Sequence, residues 1–299
     1  MKTKICSVIT CAAAFTLARL GALVQAQEIP KDYQEALTIL GKKGDYKDNV
    51  FKVNLPRSDL KITVAGMAMP TAFGFGGWLA MTKGDGGKDV MMGDLVLLED
   101  EVNPVLSALL DNGLEVTALH NHFFWEQPRI FYMHVHGHGA AADLASKVRP
   151  ALSLIGHATG QPATPAPPKL DAAALEKIIG RKSEQGGGVV KFTVGRDDLH
   201  VTEMGAPIQA RMGLNTWAAF IGTDEKAAVA GDVAMLEDEV NPTLKTLRKH
   251  GLDVVAIHHH MLGTQPPIIF LHYWGTGSAA KLAAGFKAAL DELGKPTSP

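Results

Sequence analysis

One segment of this chain is written twice, and that limits the fold more than any other feature. Gly93-Asp-Leu-Val-Leu-Leu-Glu-Asp-Glu-Val-Asn-Pro104 returns as Gly231-Asp-Val-Ala-Met-Leu-Glu-Asp-Glu-Val-Asn-Pro242. The same offset aligns Gly113 with Gly251 and Gln127-Pro128 with Gln265-Pro266. Upstream the offset lengthens by one residue, pairing Arg57, Asp59, Leu60, Gly66 and Trp78 with Arg196, Asp198, Leu199, Gly205 and Trp217, so one residue is lost in the loop near Lys83 to Asp89. Repetition over so long a span points to one structural unit duplicated in tandem. Two homologous lobes are expected, at 30–158 and 169–299. The segment 159–168 between them holds Gly160-Gln-Pro-Ala-Thr-Pro-Ala-Pro-Pro168 and reads as a semi-extended linker.

With 299 residues, 46% of them apolar, each lobe has chain enough for its own core. Lys+Arg 29 against Asp+Glu 31 leaves a net charge of -2, so no basic excess awaits a phosphate backbone and nucleic acid is not an expected partner. The N-terminus reads as a secretory signal over 1–26. Lys2 and Lys4 precede an apolar run from Ile5 to Leu17, and Val24-Gln25-Ala26 has the small-x-small pattern of a cleavage site. Arg19 interrupts the run, which argues against a membrane anchor, and Val8-Ile9-Thr10 before Cys11 lacks the residues of a lipidation signal. A periplasmic or secreted protein with no integral membrane domain is therefore expected. Cleavage removes both cysteines, Cys6 and Cys11, and with them any disulfide, thiolate nucleophile or thiolate metal ligand.

Each lobe repeats one layout. A short helix (Tyr33 to Leu40; Ala172 to Ile179) precedes strand candidates at Phe51 to Leu55, Lys61 to Val64, Trp78 to Met81 and Gly93 to Leu98. Asn103-Pro104 and Asn241-Pro242 look like a helix N-cap followed by proline at the first helical position, with Gly113 and Gly251 as stops. Glu115 to Phe123 and Arg129 to Gly137 read as two strands joined by a Pro-containing turn, and Ala141 to Ile155 as a closing amphipathic helix. The expected class is α+β: a tandem duplication of two lobes, each a mainly antiparallel sheet with two or three helices.

Nine of the 12 histidines fall in two windows that the repeat superimposes. His120, His122 and His134 in the first copy match His258, His260 and His272 in the second. Residues two apart on a strand share a face, so His120 projects with His122 and His258 with His260, and a hairpin can bring His134 or His272 beside them. Three neutral imidazoles suit a divalent zinc, copper, iron or nickel ion. The expectation is one such site per lobe, the first better equipped. The competing reading is that the histidines merely line a polar sheet face.

Carboxylates stand near in sequence. Glu101 and Glu239 could ligate the ion or orient a histidine; alternatively they belong to an acidic first turn that suits the helix dipole. The first copy also reads His120-x-His122-x3-Glu126 with His134 following, the spacing by which cupin barrels hold a metal. That makes Glu126 a fourth-ligand candidate in this copy alone, since the second has Thr264. Glu101, Glu126 and Glu239 are also the carboxylates available for catalysis. His259 is expected to face away, and His157, His200 and His250 to make only local contacts. Arg57-x-Asp59 and Arg196-x-Asp198 read as ion pairs, or as anion-binding arginines. Trp78 and Trp217 are expected in the core, whereas Trp125 could close over a pocket. Phe73-Gly-Phe-Gly-Gly77 lacks the Lys of a phosphate loop.

The repeated Gly-Asp-x-x-x-Leu-Glu-Asp-Glu-Val-Asn-Pro segment, Leu-Glu-Val-Thr-Ala-Leu-His-Asn-His and Gln-Pro-Arg-Ile-Phe-Tyr-Met-His resemble the LppY/LpqO family of exported bacterial proteins of unassigned function. The resemblance covers both lobes and implies an envelope protein, but it brings no catalytic residues. Three functions stay open. One is a metal-binding carrier or sensor. Another is a hydrolytic or oxidative metalloenzyme acting on a small molecule, favoured by Trp125, Glu126, His136 and His138, which only the first copy has. The last is a non-catalytic envelope binding or scaffold module. Serine-elbow and dinucleotide-binding motifs are absent from the sequence.

Overall fold

The computed structural model describes residues 28–156 and 169–295. The expected signal peptide with Cys6 and Cys11, the linker at 159–168 and His157 lie outside the described residues. Among those described, no helix is long and apolar enough to cross a membrane.

In the first lobe the helices are α1 (Lys31–Leu40), α2 (Glu99–Asp111) and α3 (Ala141–Leu152). Its strands are β1 (Gly44–Lys47), β2 (Val50–Pro56), β3 (Ile62–Val64), β4 (Met67–Met69), β5 (Gly76–Lys83), β6 (Asp89–Leu98), β7 (Glu115–His120), β8 (Glu126–Gln127) and β9 (Ile130–Gly139). The second lobe holds α4 (Ala172–Ile179), α5 (Glu237–Lys249) and α6 (Ala279–Leu290). Its strands are β10 (Glu184–Gly186), β11 (Val189–Gly195), β12 (Val201–Glu203), β13 (Ala206–Ile208), β14 (Asn215–Gly222), β15 (Ala227–Met235), β16 (Asp253–His259) and β17 (Ile269–Gly277). Two 6-stranded antiparallel sheets result, ordered β1-β2-β5-β6-β9-β7 and β10-β11-β14-β15-β17-β16. The protein is thus an α+β tandem duplication, as its sequence implied.

Strand alternation decides which layer each side chain joins. On β6, Met91, Leu95 and Leu97 pack with the helices, beside Leu144, Ala145 and Val148 of α3, which recur at helical spacing. Val90, Met92 and Val96 point the other way, and there the cover is the second lobe. Val96, Phe73, Phe75, Phe123 and Tyr132 share a cluster with Ala219, Ala228, Ala230 and Trp274. Val90, Met92 and Ala80 share another with Met212, Leu214, Met261 and Phe270. The layers therefore run helices, sheet, sheet, helices. With both faces of each sheet covered, the central strands read as nearly continuous apolar runs.

Helix α2 departs from expectation. It starts at Glu99, so Pro104 lies inside it and Asn103 is not its cap. The end is capped from within: a Glu101 carboxylate oxygen accepts the Leu98 backbone N–H at 2.8 Å. The second copy repeats this, with Pro242 inside α5 and Glu239 accepting the Leu236 N–H at 2.8 Å.

Phe123 ties the lobes together: it stacks on Phe75 at 4.9 Å and meets the edge of Trp274 at 5.8 Å between ring centroids. Phe123→Ala should lower stability by about 3–5 kcal/mol. Because its cavity opens at the seam, urea unfolding followed by fluorescence and by circular dichroism should shift together, in one transition for both lobes.

Candidate metal centre

Antiparallel register lays a row of polar side chains across the inner face of each sheet. In the first, Asn54 stands opposite Trp78, Trp78 opposite Asp94, and Asp94 opposite His134. The second repeats it as Thr193, Trp217, Asp232 and His272. A bulge in β7 between Val116 and Ala118, and its twin in β16 between Val254 and Ala256, accompany the approach of the edge strands to this row. His120 and His258 lie at the C-terminal ends of those strands, and His122 and His260 follow.

The sheets face each other, so the two rows meet. Ring centroids of His120 and His258 are 3.8 Å apart, those of His122 and His272 3.6 Å, and those of His134 and His260 3.8 Å. Each of these pairs joins one lobe to the other. The histidines expected as one site per lobe lie in one cluster, because the face that carries them is the face each lobe buries against its partner; of the converging donor groups two span the lobes and one, Asp232, His258 and His272, lies within the second. Gly213, at φ +100, makes room: a Cβ there would sit 2.8 Å from His260 Nε2.

Three groups of donors converge, each with its ligand atoms within 4.8 Å of one another: His120, His122 and His272; His120, His134 and His258; Asp232, His258 and His272. His120 Nε2 lies 3.1 Å from His134 Nε2, which lies 3.2 Å from His260 Nδ1. Nitrogens bound tetrahedrally to one ion at 2.0–2.1 Å stand about 3.3 Å apart. Several of these atoms are buried and, among the described residues, lack a hydrogen-bond partner: both ring nitrogens of His122 and of His272, Nε2 of His258, and one oxygen each of Asp94 and Asp232. Orphaned polar atoms on this scale are rare in folded proteins and call for a partner.

Burial sets the charge state. It pushes His120 down to about 3, with the His258 charge adding, and His258 down to about 4. Burial and then neighbouring imidazoles hold His122, His134, His260 and His272 well below the usual histidine range. Neutral imidazoles keep the lone pairs that a metal ion takes up. Burial also raises Asp94 to about 8 and Asp232 well above the carboxylate range. Asp94 and Asp232 point oxygens toward His134 and His272 at 3.7 and 3.9 Å. Neither aspartate was singled out from the sequence, although the repeated Gly-Asp in an otherwise apolar strand was the available signal.

Other candidates go elsewhere. Glu101 binds Arg57 at 2.6 Å and also accepts the N–H groups of Leu98 and Gly156. Glu239 does the same with Arg196 at 2.7 Å, Leu236 and Gly294. These carboxylates fasten the start of α2 and α5, and Asp59 and Asp198 complete the arginine pairs. Glu126 is buried in β8, paired with β3, outside the converging groups. His136 reaches Glu203 of the second lobe at 3.0 Å, and His138 stands opposite Val90 on β6. His259 is exposed and faces away from the cluster, His200 is exposed, and His250 bonds the Thr246 carbonyl. Trp78 and Trp217 are half-buried rather than core. They line a cavity of about 730 Å³ that opens onto His122, His134, His260 and His272. Trp125 is 63% exposed at the hairpin tip.

The fold and site define a duplicated α+β protein with a histidine cluster at the seam between its halves. The model of the family described as Domain of Unknown Function (DUF1259) matches residues 34–154 and again 173–292, so the chain belongs to that family and carries its domain twice. No curated protein matches. Two solved structures are similar at low level. EtuB from Clostridium kluyveri is 8% identical with TM-score 0.20, the alignment covering 84% of this chain and 89% of that one. The trimeric bacterial microcompartment shell protein PduB is 12% identical with TM-score 0.19, over 82% and 90%. Similarity of that size carries no inference about this chain.

Glu101→Ala and Glu239→Ala separate the fastening role from a ligand role. Each leaves a buried guanidinium short of a partner and should cost about 3 kcal/mol in urea unfolding. Elemental analysis should find metal content unchanged in either variant.

Proposed function

We propose that this chain is an exported protein that binds one divalent transition-metal ion at a centre shared by its two lobes. The observation that carries the reading is the convergence of His120, His134 and His258 from both halves, together with the orphaned nitrogens around them. Any two of the converging groups share a histidine, so with one donor atom per side chain only one group can be satisfied at a time. The donor set, imidazole with an aspartate at hand and no thiol, suits zinc, copper, iron(II) or nickel. The charged and apolar segments at 1–26 and the resemblance to the exported LppY/LpqO proteins support a periplasmic or secreted location.

The cavity beside the histidines favours a second reading, a metalloenzyme acting on a small molecule. There the protein would supply a dry, shaped site, and Asp94 or Asp232 would be the carboxylate nearest the chemistry.

Elemental analysis of protein purified from its native compartment, with mass spectrometry under native conditions, tests the reading. About one ion per chain is expected; His120→Ala and His258→Ala should each weaken its binding, because each breaks two of the three converging groups, and the double variant, which breaks all three, should abolish it. Two ions per chain, with each substitution removing only one, would restore separate sites; metal-free protein that also binds none of the four ions would refute the proposal.

A further inference from the structure

The same cavity holds two lysines that form no close ion pair. Lys52 on β2 and Lys191 on β11 are repeat equivalents on the inner faces of the two sheets, and both line the cavity. Lys52 Nζ lies 4.3 Å above the Trp78 ring and Lys191 Nζ 4.7 Å above that of Trp217. Each stem is thereby held against an indole and each ammonium carried toward the seam. Lys52 Nζ donates to the Arg211 carbonyl at 3.3 Å, while the Arg211 guanidinium is taken by Asp45. Among the described residues no carboxylate lies within ion-pairing distance of either ammonium: of the carboxylates lining the cavity, Asp45 is taken by Arg211, and Asp94 and Asp232 turn oxygens toward His134 and His272. Asp45 and Asp94 act on Lys52, and Glu184 and Asp232 on Lys191, only from farther away.

Part-buried lysines with no carboxylate in contact are costly, and here they repel each other. Burial, then Arg211, then Lys191 bring Lys52 down to about 8, and burial lowers Lys191. Lys52 and Lys191 thus feel each other across the seam. We propose that the cavity binds a small oxyanionic molecule, bearing carboxylate or phosphate groups, between the ammoniums of Lys52 and Lys191 and beside the histidine cluster. An ammonium accepts either kind of oxyanion as a point charge, without the planar matching a guanidinium demands. About 730 Å³ fits a metabolite-sized ligand. The inference deepens the metal reading, resting on it only for what the far end of the ligand meets.

The experiment is calorimetric titration of the full chain, as purified and after chelator treatment, with inorganic phosphate and separately with citrate. Glycerol serves as the uncharged control, and metal content is measured alongside. Wild type is compared with Lys52→Gln/Lys191→Gln, whose amide side chains still cover the indoles; if the double variant does not fold, Lys191→Gln alone carries the comparison. At least one anion is expected to bind, more weakly in high salt, and the variant to lose about tenfold or more in affinity while keeping its metal. The anion that binds more tightly identifies the oxyanion class. Equal affinity in variant and wild type would mean that the metal alone holds the anion, and would overturn the proposal. So would failure of both anions to bind. Either result with metal retained leaves the metal reading standing, whereas anion binding by protein that carries no metal as purified and takes up none of the four ions would sink that reading and keep this site.

Discussion

Everything in this molecule depends on two sheets turning the same face toward each other. Each lobe covers one side of its sheet with three helices and leaves the other side apolar toward the ends and polar in the middle. Only a second surface of the same kind buries both parts well. The end clusters are the same set of repeat positions with the lobes exchanged. Phe73, Phe75 and Phe123 pack on Ala219, Ala228 and Ala230 at one end, and Met212, Leu214 and Met261 on Ala80, Val90 and Met92 at the other. Burial there, at about 25 cal/mol per Å² of apolar surface, offsets the cost of holding unpartnered imidazoles and carboxyls between them.

The copies differ at the seam as well. In one end cluster Trp274 packs near Val64, both buried. At the equivalent places in the other stand His136 and Glu203, paired at 3.0 Å and just as buried. The two positions differ together, an apolar contact on one side and a buried histidine–carboxylate pair on the other. The extra His136 of the first copy, which from the sequence suggested a more specialised metal site, is accounted for by this pair. The centre itself keeps closer to symmetry, with Asp94, His122 and His134 answered by Asp232, His260 and His272.

Much of the fold could be read from the residues. The repeat implied two like lobes, Gly93 to Leu98 read as a strand, and the matched histidines implied a cluster. What local pattern could not say is which way the lobes face. Lys52, Asn54 and Asp94 on alternate positions look like a solvent-facing surface, and nothing nearby in sequence reveals that a second sheet covers it. The helix start at Glu99 was hidden for a similar reason: Asn103-Pro104 imitates a cap, while the actual cap is a side chain reaching back from Glu101. That carboxylate's true partner, Arg57, is far away in sequence, although the recurrence of arginine and glutamate together in both copies was a trace of the pair.

The two-sided seam has a bearing on how such a protein can be divided. A polypeptide carrying one lobe alone would present an uncovered sheet to water, oily at both rims and lined with imidazoles between them. Its simplest relief would be to associate with a second identical copy about a two-fold axis, which would force strict equality on the two halves. Joining the halves in one chain lifts that requirement, and His136 with Glu203 shows a freedom that a symmetric pair of subunits would not have.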